Sequence, residues 1–438
     1  MPNNIVTLNV SQTIAPSPNN LQEVGVLISQ GGTNTTQNTL SLLTQLSDLT
    51  PILAPAKSLV SLIYAAGTVT ATFSVPHGWT TAETVTVVVA GALPVAFNGT
   101  FQGTVTTASV VTFPLGSAPT PTTATVPGTM TLGSVGELTA MATTFFAQGS
   151  TASIYVLELG EGNVVDGVTA LTTYLTANPK TIYSVLVPRN WDAAASFLTL
   201  IASYEATTSM LYFYVTTTTT NYTSYTALMK NVFALIEAPG IPALEFSVAA
   251  ALWININRAP SPVNQVTPMA FSFVVGVTPY PTKQNSALRT TLKTAGINII
   301  GTGAEGGISN TILLWGTTMD LRDFTYWYAV DWVQLNLDLD LSNEVINGSN
   351  NPINPLYFNQ PGINRLQARG QGTMTRGVTY GMVLGPVTVN AIPFGAYTLA
   401  NPSDYKIGKY GGLSVTFTPS RGFTAITFNV NVTDFPSA

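Results

Sequence analysis

The chain has one histidine, His77, in the stretch "PHGW". A single histidine with no cysteine anywhere in the chain cannot assemble an imidazole or thiolate metal site. A serine–histidine–aspartate triad would have to be built on it. Its neighbours Pro76 and Gly78 instead mark a turn. "GTGAEGG" places Gly301, Gly303 and Gly306 in the G-x-G-x-x-G spacing directly after the apolar run "INII". A dinucleotide site needs that loop to open a helix whose N-terminus faces the pyrophosphate. The next residues are the β-branched "ISNTILLW", so the glycines read as a hairpin loop. In "DLDLSNE", Asp338, Asp340, Ser342 and Glu344 alternate like calcium-loop ligands, but the loop glycine and the distant bidentate glutamate are missing. The stretch reads as the polar end of a long helix, stopped by Asn347-Gly348. Arg365, Arg369 and Arg376 share one face of a further helix. That stripe is either a solvated face or a contact for an acidic partner surface. No spacing selects a pair among the twenty acids for glycoside chemistry. No active site assembles from these residues. The expectation is a protein that is not an enzyme and has no cofactor or metal.

The elements that must position such residues sit in an unusual composition. Only 8% of the 438 residues are charged, against about 25% in an average globular protein. Hydrophobic content is 45%, so the chain is not disordered. A surface this poor in charge keeps monomers apart badly, which suggests that other subunits cover it. The net charge of -5 argues against a nucleic-acid partner. No apolar run reaches the roughly 20 residues of a membrane helix; "FSFVVGV" and "TILLWG" have strand length. The N-terminus lacks the basic and apolar regions of a secretory signal. No membrane insertion is expected.

Three textures divide the chain. Residues 1–20 read as an N-terminal arm with a short strand, "NIVTLNV", ahead of Pro16 and Pro18. Residues 21–61 begin an α/β core with the strand "GVLIS" and a helix expected around "TLSLLTQLSDL". Residues 62–133 switch to short Val/Thr/Phe strands split by Gly, Pro and Asn-Gly turns, the pattern of an inserted β-sandwich or barrel with its ends close together. From 134 to 340 apolar strands alternate with amphipathic helices, including one expected at "YTSYTALMKNVFALI", which indicates a sheet covered on both faces. A C-terminal domain is expected over 341–418 and an arm strand over 419–438. In that arm Ile426, Phe428, Val430 and Val432 alternate with polar residues, as in a strand with one buried face.

The stretch "LRTTLKTAGINIIGTGAEGGISNTILLWGTTMDLRDFTYWYAVDWVQ" resembles contractile tail sheath proteins of phages with myovirus-type tails. The landmarks are a helix leading into a G-x-N-x-I strand (Gly296, Asn298, Ile300), a glycine-rich loop, a W-G-x-x-T strand end (Trp315, Gly316, Thr318) and a long helix. The family's G-x-R-T arginine is absent: Thr317 precedes Thr318, and Arg322 comes later. The ending "GGLSVTFTPSRGFTAITFNVNV" and the opening "MPNNIVTLNVSQTIAPSP" are similar to their counterparts in that family, and residues 62–133 resemble a small β-module of phage structural proteins through "PHG", "TVTVVVAG", "FNGTF" and "VTF".

This resemblance implies a mixed α/β (α+β) sheath-type core with helices on both faces of a sheet, an inserted small all-β domain facing outward, and extended terminal arms. It implies that Ile5, Val6, Leu8 and Val10 of one arm and Ile426, Phe428, Val430 and Val432 of the other add strands to neighbouring subunits. The partners implied are further copies of the chain in hexameric rings stacked helically, the tail tube, and baseplate and tail terminator proteins. The place is the virion tail, assembled in the host cytoplasm. The C-terminal region, with Arg365, Arg369 and Arg376, is expected to face the tube. The competing reading is a tail-fibre-like adhesin that stacks glycans on Trp79 and Phe97 of the β-insert; a tail-associated glycan hydrolase ranks below both.

Overall fold

The computed structural model describes residues 21–205, 209–225, 229–281, 285–302 and 310–424. They form two compact units, one of residues 332–379 and 383–418, the other of residues 21–331, 380–382 and 419–424.

The larger unit opens with β1 (Gly25–Ser29), buried along its whole length, and β2 (Leu40–Leu43). The helix expected at "TLSLLTQLSDL" is not there. Leu40–Leu43 is an antiparallel edge strand on a later strand, and Leu46–Ile52 is a 3-10 helix. Local chemistry explains the break. Asp48 accepts from the Thr44 and Gln45 backbone amides at 2.9 and 3.2 Å and from the Thr44 hydroxyl at 2.7 Å, which tightens the chain into a capped turn.

Six strands then close an antiparallel barrel in the order β3-β4-β7-β6-β5-β8. They are β3 (Lys57–Ala65), β4 (Thr68–Phe73), β5 (Thr84–Ala90), β6 (Gly99–Thr107), β7 (Val110–Pro114) and β8 (Thr129–Leu132). Val/Thr alternation turns one side chain in two inward. Leu62, Val69, Ala71, Val87, Val105, Val111 and Phe113 fill the interior, and the threonines face out. The entering and leaving strands pair through Lys57–Met130 and Ser58–Thr129. Just before β8, Gly128 has φ +73°, and a Cβ there would lie 2.3 Å from the Ala90 carbonyl oxygen, so only glycine fits. Trp79 and Phe97 belong to this core, 9% and 0% exposed. They cannot serve as a glycan-stacking platform, which removes the residues on which the adhesin reading rested.

The chain runs from β8 directly into α1 (Gly133–Ala147) and then alternates: β9 (Ile154–Glu158), α2 (Val164–Ala177), β10 (Ser184–Leu186), α3 (Ala195–Ser203), β11 (Tyr212–Thr217), β12 (Val232–Ile236), α4 (Ser247–Ile256), α5 (Ser286–Thr294), β13 (Asn298–Thr302) and β14 (Thr311–Leu314). The eight-stranded sheet has the order β14-β13-β12-β11-β10-β1-β9-β2. Strands β1 and β9 to β13 are parallel, while β2 and β14 are antiparallel edges. Strand direction of travel reverses between β1 and β10, as in doubly wound folds. Val26, Val185, Phe213 and Val215 point to the face where α2 and α3 supply Leu171, Leu175 and Phe197. Helices α1 and α4 pack together on the strands from the other side, α1 against β1 and α4 against β10 and β11.

The helix expected at "YTSYTALMKNVFALI" is replaced by a 3-10 turn at Tyr222–Tyr225 and by β12, whose five residues are all buried between β11 and β13. Tertiary burial on both sheet faces overrode the helical spacing. "FSFVVGV" forms no full strand; it runs beside β14 through a single bridge, Phe273–Ile312. Helix α6 (Phe324–Ser349) and helix α7 (Gln360–Thr379) come after it.

Candidate functional site

In doubly wound sheets, ligands usually enter beyond the carboxyl ends of the strands at the reversal point. Here polar side chains of the loops bridge one another across that end of the sheet. Gln30, just past β1, donates to the Asn163 carbonyl at 3.0 Å and accepts from the Trp191 indole at 2.7 Å. Beyond β10, Arg189 donates to both carboxylate oxygens of Glu237 at 2.7 and 3.0 Å, while its backbone amide donates to Glu137. Burial pushes the Glu137 carboxyl above its ordinary value. These charges tie loops together, and Arg189 and Glu237 line an open cavity of about 300 Å³ beyond the carboxyl ends of β11 and β12.

His77 is a structural residue of the barrel, 2% exposed. Its Nδ1 accepts from the Trp79 backbone amide at 3.0 Å, so Nε2, 2.9 Å from the Thr107 carbonyl, must carry the proton. The ring stacks on Trp79 at 4.9 Å. The hairpin expected around the glycine-rich loop exists as β13 and β14, paired Ile299–Leu314 through Thr302–Thr311. Gly303 and Gly306 lie outside the described residues. Gly301 is explained by packing, since a Cβ there would come within 2.7 Å of Leu314 Cδ1.

The alternating acids and the arginine stripe, separate features in sequence, meet in the smaller unit. Asp340 on α6 is 5% exposed. It accepts from Arg369 Nη2 at 2.7 Å, from the Thr373 hydroxyl at 2.6 Å, and from Arg376. One turn on, Glu344 accepts from Arg365 at 2.6 Å. The stripe is therefore neither freely solvated nor an uncompensated positive surface: its acidic partner lies on the neighbouring helix. Arg369 and Arg376 keep 45% and 42% of their side chains exposed.

Ile5, Val6, Leu8, Val10, Ile426, Phe428, Val430 and Val432 lie outside the described residues. The point where the C-terminal arm departs is within them. The Gly422 amide donates to Asp323 Oδ2 at 2.8 Å, Arg421 stacks on Tyr326 at 4.7 Å, and Lys293 Nζ lies 3.3 Å from the Thr424 carbonyl. Nothing in the sequence pattern marks this anchor, because its partners are about a hundred residues away.

No protein-family model matches the chain, and no curated protein matches it in sequence. Solved structures do match. A chain of the anti-feeding prophage baseplate is 11% identical with a TM-score of 0.57, covering 99% of both chains. The helical sheath of the same particle in its contracted state is 11% identical with a TM-score of 0.53, covering 98% of this chain and 100% of that one. The contracted baseplate gives a TM-score of 0.51 at 11% identity over 99% and 98% of the two chains. The chain has the contractile tail sheath fold.

Within the sheath fold, the sequence landmarks are joints. Asn298 donates to the carbonyls of Ala234 and Thr317 at 3.1 and 2.7 Å and accepts from the Thr317 amide at 2.9 Å, locking β12, β13 and the turn after β14 together. Gly296 has φ +75°, and a Cβ there would sit 3.2 Å from the Thr318 carbonyl oxygen. Gly316, at φ +59°, leaves room for the Ala270 amide, 2.8 Å from where a Cβ would be. Gly296, Asn298 and Gly316, three of the residues that carry the resemblance, thus stand where few side chains would fit.

Proposed function

We propose that this chain is the structural subunit of a contractile tail sheath, polymerising helically around a tail tube and contracting to drive it through a host cell envelope. The observation that carries the reading is the fold shared with a contracted helical sheath over nearly the full length of both chains. The protein acts by changing its packing and catalyses no reaction. Two sets of interfaces between rigid subunits store and release the energy of contraction.

In this reading the arms link the subunits. Ile5, Val6, Leu8 and Val10, and Ile426, Phe428, Val430 and Val432, add strands to sheets of neighbouring copies, main-chain hydrogen bonds joining the chains and alternate side chains setting register. The anchor at Gly422 supports this by giving the C-terminal arm a fixed point of departure. The exposed remainders of Arg369 and Arg376 face the tube, and the barrel faces outward. Partners are further copies in stacked hexameric rings, tube, baseplate and terminator proteins, in a virion tail assembled in the host cytoplasm.

Sedimentation of the full chain beside a chain truncated after Thr424, which retains the anchor, tests the linkage. The full chain is expected to form large assemblies and the truncated one to stay small. Equal sedimentation of the two would remove the arm from the account.

A further inference from the structure

A groove of about 390 Å³ opens in the larger unit where α2 and α3 end beside the starts of β10 and β11. Its lining is mostly apolar: Leu21, Leu175, Ile182 and Leu211 are buried, and Tyr204 and Met210 beside them are half-buried. Lys180 is the one charged side chain among the described lining residues, and it is exposed.

Leu21 is the first described residue, so the twenty residues before it set out from the groove itself. That point is held: the next residue, Gln22, donates its side-chain amide to the Tyr328 carbonyl at 2.9 Å. Residues 1–20 carry no charged side chain and end in "TIAPSPNN". Ala15 and Ser17 each precede a proline, which keeps them out of the helical region, and Pro16 and Pro18 fix their own φ at about −65°. In such an extended run, side chains two apart share a face. Ile14, Pro16 and Pro18 therefore fall on one side, and Thr13, Ala15 and Ser17 on the other. Ile14 is joined to Leu21 by at most about 25 Å of chain, so it can reach the groove.

Covering apolar walls is favourable in proportion to the area removed from water. A segment already extended by its prolines loses little freedom on docking, and an aromatic side chain in the wall suits a proline-rich extended chain. A second copy carries the same face, but the chain's own arm is tethered at the groove wall and is present there at high effective concentration. We propose that Ile14, Pro16 and Pro18 of the chain's own N-terminal arm seat in this groove against Tyr204 and Met210. The proposal rests on the groove and the arm's sequence; within the sheath reading it also fixes where residues 5–10 leave the body.

Photo-crosslinking tests this. The chain has no cysteine, so Thr13→Cys takes a benzophenone maleimide at a single site, on the face of the arm turned away from the groove. Irradiation of the full chain in dilute solution, followed by mass spectrometry, reads where position 13 lies. Products of single-chain mass are expected, joined at Met210 or its neighbours Tyr204 and Leu211. Adding Ile14→Asp and Pro16→Asp sets two carboxylates on the docking face and is expected to cut that yield at least about fivefold, because the apolar walls offer them no partner. An unchanged yield would mean that tethering alone brings position 13 to the groove, which overturns the proposal. Products of two-chain mass would give the groove to the arm of a second copy, and products joined elsewhere would place the arm off it; either overturns the proposal. Assembly plays no part in this readout, so a negative result leaves the sheath reading standing.

Discussion

Arg369 Nη2 lies 2.7 Å from Asp340 Oδ1, so a carboxylate in the second half of α6 holds an arginine in the middle of α7. Asp340 also takes Thr373 and Arg376, and the four side chains make one polar clasp between the two helices. The carboxylate is buried and the arginines are partly exposed, which sets how much each change costs.

Asp340→Ala removes the shared acceptor of three donors. Breaking a buried pair costs roughly 3–5 kcal/mol, and the exposure of both arginines reduces this, so a loss of about 2–3 kcal/mol is expected. Arg369→Glu, which sets a second carboxylate against Asp340, is expected to destabilise as well. Urea denaturation of each variant beside the natural chain measures both; unchanged midpoints would show the clasp to be idle.

His77 should make the barrel acid-sensitive. Burial holds its pKa below the ordinary 6.5, and protonating Nδ1 breaks the bond from the Trp79 amide. The unfolded chain then binds the proton more readily than the folded one. Stability is full above pH 6.5 and is lost as pH falls toward the depressed folded value. Thermal melts at pH 8, 6.5 and 5 should show a falling midpoint, and His77→Gln should flatten that fall.

Asp331 should act with the opposite sign. It is fully buried on α6, accepting the hydroxyls of Tyr212 and Tyr183 at 2.7 and 3.0 Å on one oxygen. Burial pushes its pKa up to about 7. Its contribution is full below the ordinary 3.8 and is lost as pH rises through 7. Asp331→Asn keeps an acceptor for the tyrosines without the charge. It is therefore expected to raise the melting temperature at pH 8.5 and to do so much less at pH 5. A gain of equal size at both pH values would contradict the assignment.

Much of this architecture is legible in the sequence, and the reasons are local. Val/Thr alternation with Gly and Pro turns marks the barrel strands, and apolar runs such as "YFYVTT" beside amphipathic helices mark the covered sheet. The parts that are not legible depend on distant partners. "VFALI" is a strand because β11 and β13 flank it, and "LSLL" because β9 offers an edge. "SVAAALWINI" is apolar on all sides, so no amphipathic stripe announces α4. Asp340 and Arg369 each stand out in the sequence, but nothing in their spacing says that α6 and α7 bring them together.

Gly422 tests the arm's anchor. A Cβ there would lie 2.5 Å from Pro268 Cβ and 3.1 Å from Asp323 Oδ2. Neither the proline ring nor a backbone-bonded carboxylate yields easily, so Gly422→Ala should dislodge residues 420–424. The monomer's melting temperature should move little, while light scattering should show slower or weaker assembly. Assembly at the natural rate would mean that the anchor does not direct the arm.

Negative-stain electron microscopy of the full chain expressed alone puts the central claim to its most direct test. The account predicts hollow helical tubes of uniform diameter, wide enough to enclose a tail tube. Monodisperse single chains at every concentration and salt tried would contradict a self-assembling sheath subunit.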